Sequence, residues 1–255
     1  MSLYRSGYLC LALLAAAGCG GADDFSSSGG SRIINGIEAD LAASPQMVEV
    51  ISIKDGADAA RCTGTVIAAD AVLTAGHCVG FGEEQVLVRT VSGTLPAELV
   101  LRHPGYREEP SLSAIFNDVA VLRTAPHGLP GLAIIAGRPA SAGEMLAVYG
   151  FGLDSEGRAG VLRSAQIEVA LVTDNHIFSA PFHSDGANPC LGDSGGPAVL
   201  AFQDENGALE TGLAGIVSTG TIQGCAEGDT TLFTNLQNPA VLEFIAAAAP
   251  GAALR

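Results

Sequence analysis

The sequence predicts an all-β protein, a barrel or a sandwich, closed by one C-terminal helix. Three observations carry that expectation. Short apolar runs recur at 47–53, 65–73, 85–91, 119–122, 145–149, 165–172, 197–202, 213–218 and 231–236; many are rich in Val and Ile, and several alternate. Turn residues, above all Gly, Pro, Asn and Asp, separate them. One stretch reads convincingly as helix: Asn238 suits an N-cap, Pro239 suits the first helical position, and residues 240–249 are good helix formers that stop before Pro250 and Gly251. The stretch 122–139, with Pro126, Pro130 and Pro139, reads as a connection between two halves, and no internal repeat is visible.

Composition excludes several classes. With 48% hydrophobic and 15% charged residues the chain is too apolar to be disordered. Its length allows one large domain or two of about 100 residues, each able to bury a core. Acids outnumber bases 27 to 12, for a net charge of −15, which argues against a nucleic-acid partner. Residues 1–18 read as a signal peptide: Arg5 is the lone positive charge, and the uncharged run 8–18 is too short to span a bilayer. Ala16-Ala17-Gly18-Cys19 resembles a bacterial lipobox, in which Cys19 would be acylated and tether the chain to a membrane; the alternative is ordinary signal cleavage among the same small residues. Either way the chain is exported, as a surface or outer-membrane lipoprotein or as a secreted or periplasmic protein, and disulfides are permitted. Residues 19–32 are Gly- and Ser-rich and read as a flexible tether, after which the composition changes at Arg32-Ile33-Ile34-Asn35-Gly36.

Three segments carry chemistry. Cys190-Leu191-Gly192-Asp193-Ser194-Gly195-Gly196-Pro197 places a Ser among glycines, where its hydroxyl can be exposed on a strained turn and the N–H groups of Gly192 and Ser194 can stabilise an oxyanion. A hydroxyl needs a base. Thr74-Ala75-Gly76-His77-Cys78 offers His77 after an apolar strand, and a bridge from Cys62 to Cys78 would fix the turn that presents the ring; His103, His127, His176 and His183 read as surface or structural. Asp118 leads the apolar run 119–122, between the other two motifs in chain order, and suits the acid that orients the base.

His77, Asp118 and Ser194, in that order, resemble the triad of the trypsin/chymotrypsin family of serine proteases. Arg32-Ile33-Ile34-Asn35-Gly36 resembles that family's activation site, Cys62-Thr63-Gly64-Thr65 and Thr74 to Cys78 its histidine region, Gly150-Phe151-Gly152 its Gly-Trp-Gly turn, and Gly215 to Ser218 its substrate-lining strand. The resemblance covers about residues 33–249. It implies two antiparallel six-stranded barrels, about 33–125 and 140–236, with the active site between them and the C-terminal helix beyond. It implies a serine endopeptidase acting on protein or peptide substrates, a monomer, made as a zymogen with pro-segment 19–32. A non-catalytic binding protein on the same fold is the alternative. Cutting Arg32–Ile33 would free an ammonium that pairs with Asp193, which is expected to stay outward until then. A second bridge, Cys190–Cys225, is implied.

The pocket departs from the family. Asn188 stands at the pocket base, where trypsin-like members carry Asp, with Pro189 beside it. Ser218-Thr219-Gly220 replaces Ser-Trp-Gly, and Thr231 falls where a deep pocket would have Gly. A shallow pocket for small or medium uncharged side chains is therefore expected, with a separate trypsin-like protease cutting after Arg32. The segment after Cys78 is short, and Glu83 with Glu84 does not make a calcium cage, so neither metal nor cofactor is expected.

Overall fold

The computed structural model describes residues 33–153, 157–204, 206–222 and 224–255. The expected signal segment, Cys10, Cys19, the tether and Arg32 lie outside these residues.

The chain opens on β1 (Ile37–Glu38) and continues through β2 (Met47–Lys54), β3 (Ala57–Ala68), β4 (Ala71–Thr74), β5 (Gln85–Thr90), β6 (Gly93–Pro96) and β7 (Leu99–Arg102). A small hairpin of β8 (Arg107–Glu109) and β9 (Ala114–Phe116) precedes β10 (Ala120–Arg123). The first sheet runs β6-β5-β2-β3-β4-β10-β7, all antiparallel. Strands β6 and β7 behave as one strand bent at Ala97 and Glu98, whose N–H groups donate to Val86 and Arg123 carbonyls at 2.8 and 2.7 Å. The sheet thereby curls back on itself.

The second sheet holds β11 (Met145–Gly150), β12 (Arg163–Val172), β13 (His176–Ser179), β14 (Pro197–Gln203), β15 (Leu209–Gly220) and β16 (Thr231–Asn235). Their order is β12-β11-β14-β15-β16-β13, and pairing of β13 with β12 closes the ring. Each barrel has its own apolar filling: Val50, Val66, Leu73 and Leu122 in the first, Leu146, Val148, Ile167 and Phe233 in the second. The fold is the all-β, two-barrel arrangement expected.

Helix α1 (Pro239–Ala248) starts where the sequence predicts. The Asn238 side chain accepts from the N–H groups of Ala240 and Val241 at 2.9 and 3.4 Å, and Pro239 occupies a position whose N–H has no helical partner anyway. The helix leaves the second barrel and packs Val241 and Ile245 into the core of the first, so it straps the two together. Among the described residues no helix is long and apolar enough to cross a membrane.

Two expectations change. The run 65–73 is not one strand. It breaks at a turn, where the Asp70 carboxylate pairs with Arg123 and its carbonyl accepts from Thr124 N–H, giving the hairpin of β3 and β4. Residues 33–38, assigned by sequence to the first barrel, cross to the second: Ile33 is buried in its core, and β1 pairs with β12. An apolar Ile has more to gain from that core than from solvent. Strands β6 to β9 and β13 lie outside the apolar runs read in the sequence; each is only three or four residues long.

The cap gives a check on this account. Asn238→Ala removes the acceptor of two helix N–H groups and should lower stability by about 1 kcal/mol, read as a lower urea midpoint with an unchanged slope.

Candidate active site

His77 sits in the 3₁₀ turn Gly76–Cys78 that follows β4. The disulfide Cys62–Cys78 ties this turn to β3. Asp118 stands between β9 and β10 and is fully buried. One of its oxygens, Oδ1, accepts from the His77 backbone N–H at 2.7 Å. The other, Oδ2, meets His77 Nδ1 at 2.7 Å and accepts from Ser218 Oγ at 2.6 Å. Burial works against a charged imidazole, but the charge and hydrogen bond of Asp118, with a smaller contribution from Glu108, outweigh it and raise the His77 pKa above its ordinary value. With Nδ1 engaged by the carboxylate, Nε2 is left as the ring's proton acceptor.

Ser194 opens into the same cleft, of about 500 Å³, as His77. No hydrogen bond joins Oγ to the ring in this structure; the two groups share the cavity. The turn around Ser194 is held rigidly. Thr63 N–H donates to Ser194 O at 2.8 Å, while Thr63 Oγ1 donates to Gly192 O and accepts from Phe151 N–H. Gly192 adopts φ 96°, a conformation that a side chain would strain. The N–H groups of Gly192 and Ser194 have no acceptor among the described residues, so both are free to donate to a bound oxygen. The disulfide Cys190–Cys225 joins this loop to the opposite wall. Two disulfides suit an exported chain.

Comparison with known proteins agrees with this geometry. The family model described as Trypsin matches residues 33–244. The chain belongs to the trypsin family. Trypsin of Squalus acanthias is 30% identical over 221 residues, covering 78% of this chain and 88% of its own. Lectizyme of Glossina austeni is 30% identical over 253 residues, covering 86% of each. Chymotrypsin-C of Rattus norvegicus is 28% identical, covering 84% and 88%. The solved structure of HL collagenase shares the fold at a TM-score of 0.68 and 22% identity, over 85% of this chain and 98% of that one. These relatives make the chain a peptidase-type hydrolase in general terms.

Within this trypsin-family framework the expected pocket residues are brought together. Pro189, Ser218, Thr219, Gly220 and Thr231 all line the cleft that holds Ser194. Asn188 is buried just behind it, its side chain locked between Thr231 Oγ1, Asp229 Oδ2 and the Cys225 carbonyl. Ser218, expected as a wall residue, lines the cleft and also donates its hydroxyl to Asp118. Sequence reasoning missed that contact, the Thr63 clamp, and Asp229 in the pocket wall. These residues come from distant segments with no local motif. Glu83 caps its own loop through Gly80 and Phe81 N–H groups. Cys62, His77 and Cys78 lie close enough to share a metal, but both sulfurs are committed to the disulfide.

Asp193 corrects an expectation. It is inward and fully buried. The N–H groups of Gly152 and Cys190 donate to its two oxygens at 2.8 Å each. Gly152 is required here, because an added Cβ would lie 2.6 Å from the carboxyl carbon. Burial pushes the Asp193 pKa up to about 7 despite both amides. A neutral carboxyl with two donors can stay inside without a cation. The folded chain therefore binds this proton more tightly than the unfolded chain. Below the unfolded value of 3.8 both states hold it; between there and about 7 only the folded state does, so stability falls as pH rises and then levels off. Urea denaturation of the full-length Ser194→Ala chain should give a lower midpoint at pH 8 than at pH 5, and Asp193→Asn should shrink that difference to the part His77 contributes.

Proposed function

We propose that the chain is an exported serine endopeptidase, made as a precursor with signal segment 1–18 and pro-segment 19–32. The observation that carries this reading is the His77 ring fixed by Asp118 in the cleft that also holds Ser194, with the unengaged N–H groups of Gly192 and Ser194 in the loop that carries the hydroxyl. In the proposed cycle Ser194 Oγ attacks the scissile carbonyl while His77 Nε2 takes its proton. Asp118 keeps the proton on Nδ1 and stabilises the imidazolium. Gly192 and Ser194 N–H groups receive the oxyanion. His77 then protonates the leaving amine, and water attacks the acyl-enzyme with His77 again as base. Similarity to the trypsins and chymotrypsin-C supports peptide bonds as the substrate class.

Activation would occur at Arg32–Ile33, through a protease that cuts after a basic residue. Two features support it. Ile33 is held at φ 38°, unfavourable for a β-branched residue. Ile34 already pairs with Asn188 through backbone bonds of 2.9 and 3.0 Å, so the new terminus would be docked before the cut. Cleavage would relieve the strain and supply an ammonium where the uncut chain relies on a proton at Asp193. If Cys19 carries lipid, the same cut would release the protease from the membrane.

The test is hydrolysis of peptide substrates by protein that begins at Ile33. Ser194→Ala, His77→Ala and Asp118→Asn are each expected to lower kcat/KM by about 10⁴-fold or more, with thermal melting unchanged in Ser194→Ala. Retained activity in Ser194→Ala would overturn the reading.

A further inference from the structure

His103 and His176 are the buried histidines among the described residues, and the proposed cycle uses neither. His103 is engaged on both nitrogens: Nδ1 accepts from Gly105 N–H at 3.0 Å, and Nε2 meets the Ala240 carbonyl of α1 at 3.3 Å. His176 reaches across the barrels instead. It opens β13 in the second barrel, where it pairs with Thr234 and its N–H donates to Thr173 Oγ1 at 3.1 Å. Its Nε2 lies 2.8 Å from the carbonyl oxygen of Ile115, in β9. A carbonyl only accepts, so Nε2 carries the proton. The ring also makes edge contacts with Phe116 and Phe178, at centroid distances of 5.3 and 5.9 Å. The hairpin it meets lies outside both barrel sheets: β8 and β9 pair only with each other. A two-stranded hairpin alone is marginally stable. Yet β9 carries Ile115, which lines the cleft with His77, Ser194, Thr219 and Gly220.

We propose that His176 is a positioning residue: its Nε2–H latches the β8–β9 hairpin to the second barrel, fixes Ile115 as a wall of the cleft, and so sets how firmly the peptide segment before the scissile bond is held. This rests on the endopeptidase reading above. Asp118 follows the same hairpin but has its own supports, from His77 and Ser218 on its carboxylate and Thr234 on its carbonyl. The latch therefore acts on substrate binding more than on the chemical step. Without it the Ile115 carbonyl loses its donor, and the hairpin is free to shift by its own small strain. Protonation of the ring leaves the Nε2 donor in place, so the latch does not require one charge state. A Gln side chain can offer an N–H at similar reach; a Leu side chain cannot.

Two substrates that share the cleaved residue separate binding from chemistry: a blocked single-residue ester, and a peptide extended by three residues on its N-terminal side. Active sites of the Ile33-started enzyme are first counted with an uncharged fluorophosphonate. His176→Leu is expected to lower the peptide-to-ester ratio of kcat/KM by about 3- to 10-fold, the worth of one hydrogen bond, with the loss carried by the peptide's KM. His176→Gln should bring that ratio back to within about twofold of the wild type, which a merely space-filling role would not do. A second measurement leaves residue 176 untouched. Nitrogen-15 NMR of the Ser194→Ala protein with labelled histidine should show the neutral His176 ring protonated at Nε2. An unchanged ratio in His176→Leu, a loss carried by kcat, a His176→Gln variant no better than His176→Leu, or a bare Nε2 would overturn the proposal. Failure of the fluorophosphonate to label Ser194 would overturn the endopeptidase reading itself; labelling with an unchanged ratio overturns only this one.

Discussion

Asp118 is the carboxylate on which both barrels converge. His77 and Asp118 come from the first barrel, Ser218 from the second, and all three meet at two oxygen atoms. The backbone carbonyl of Asp118 also accepts from Thr234 Oγ1 of the second barrel. Taking a carboxylate out of water costs several kcal/mol. Three hydrogen bonds to a charged acceptor, at about 1.5–3 kcal/mol each, are enough to offset that cost. The site is thus stable only when the barrels are in register, and the imidazole is oriented by the same contact that joins them.

A second buried acid sets the oxyanion loop. Asp193 packs against the Gly150-Phe151-Gly152 turn so closely that neither glycine has room for a side chain. The turn in turn reaches Thr63, and Thr63 reaches Gly192. The nucleophile loop is therefore positioned from the first barrel through hydroxyl and amide bonds, and from the second through Asp193. Its charge is the weak point. Two amides hold it, and below about pH 7 a proton does as well. The two acids illustrate one rule: a buried carboxylate is kept where its partners are, and it keeps those partners in place.

Much of the site was legible in the sequence because its reactive groups sit in dense local strings. Gly192 to Pro197 and Thr74 to Cys78 each announce a strained, small-residue turn around one functional side chain, and the structure brings both to one cleft. Chain order identified Asp118, which alone would read as a strand cap. The barrels were legible along their longer apolar or alternating runs, and illegible at β6 to β9 and β13, strands of only three or four residues. The pocket resisted the same reasoning. Asp229, in the loop between β15 and β16 and 41 residues along the chain from Asn188, joins its wall only through folding. The inward Asp193 was equally invisible, since sequence shows the charge but neither the two amides that meet it nor its proton.

The account stands on the contact between Asp118 and the His77 ring, and the ring's own titration reports it most directly. Nitrogen-15 NMR of the Ile33-started Ser194→Ala protein, with labelled histidine, follows that titration without catalysis. The His77 pKa should lie above its ordinary 6.5, with Nδ1 protonated and Nε2 bare in the neutral ring. Asp118→Asn should drop it below 6.5, because only the smaller contribution of Glu108 then opposes burial. A His77 pKa at or below 6.5 in the parent, or one that Asp118→Asn leaves unmoved, would contradict the account.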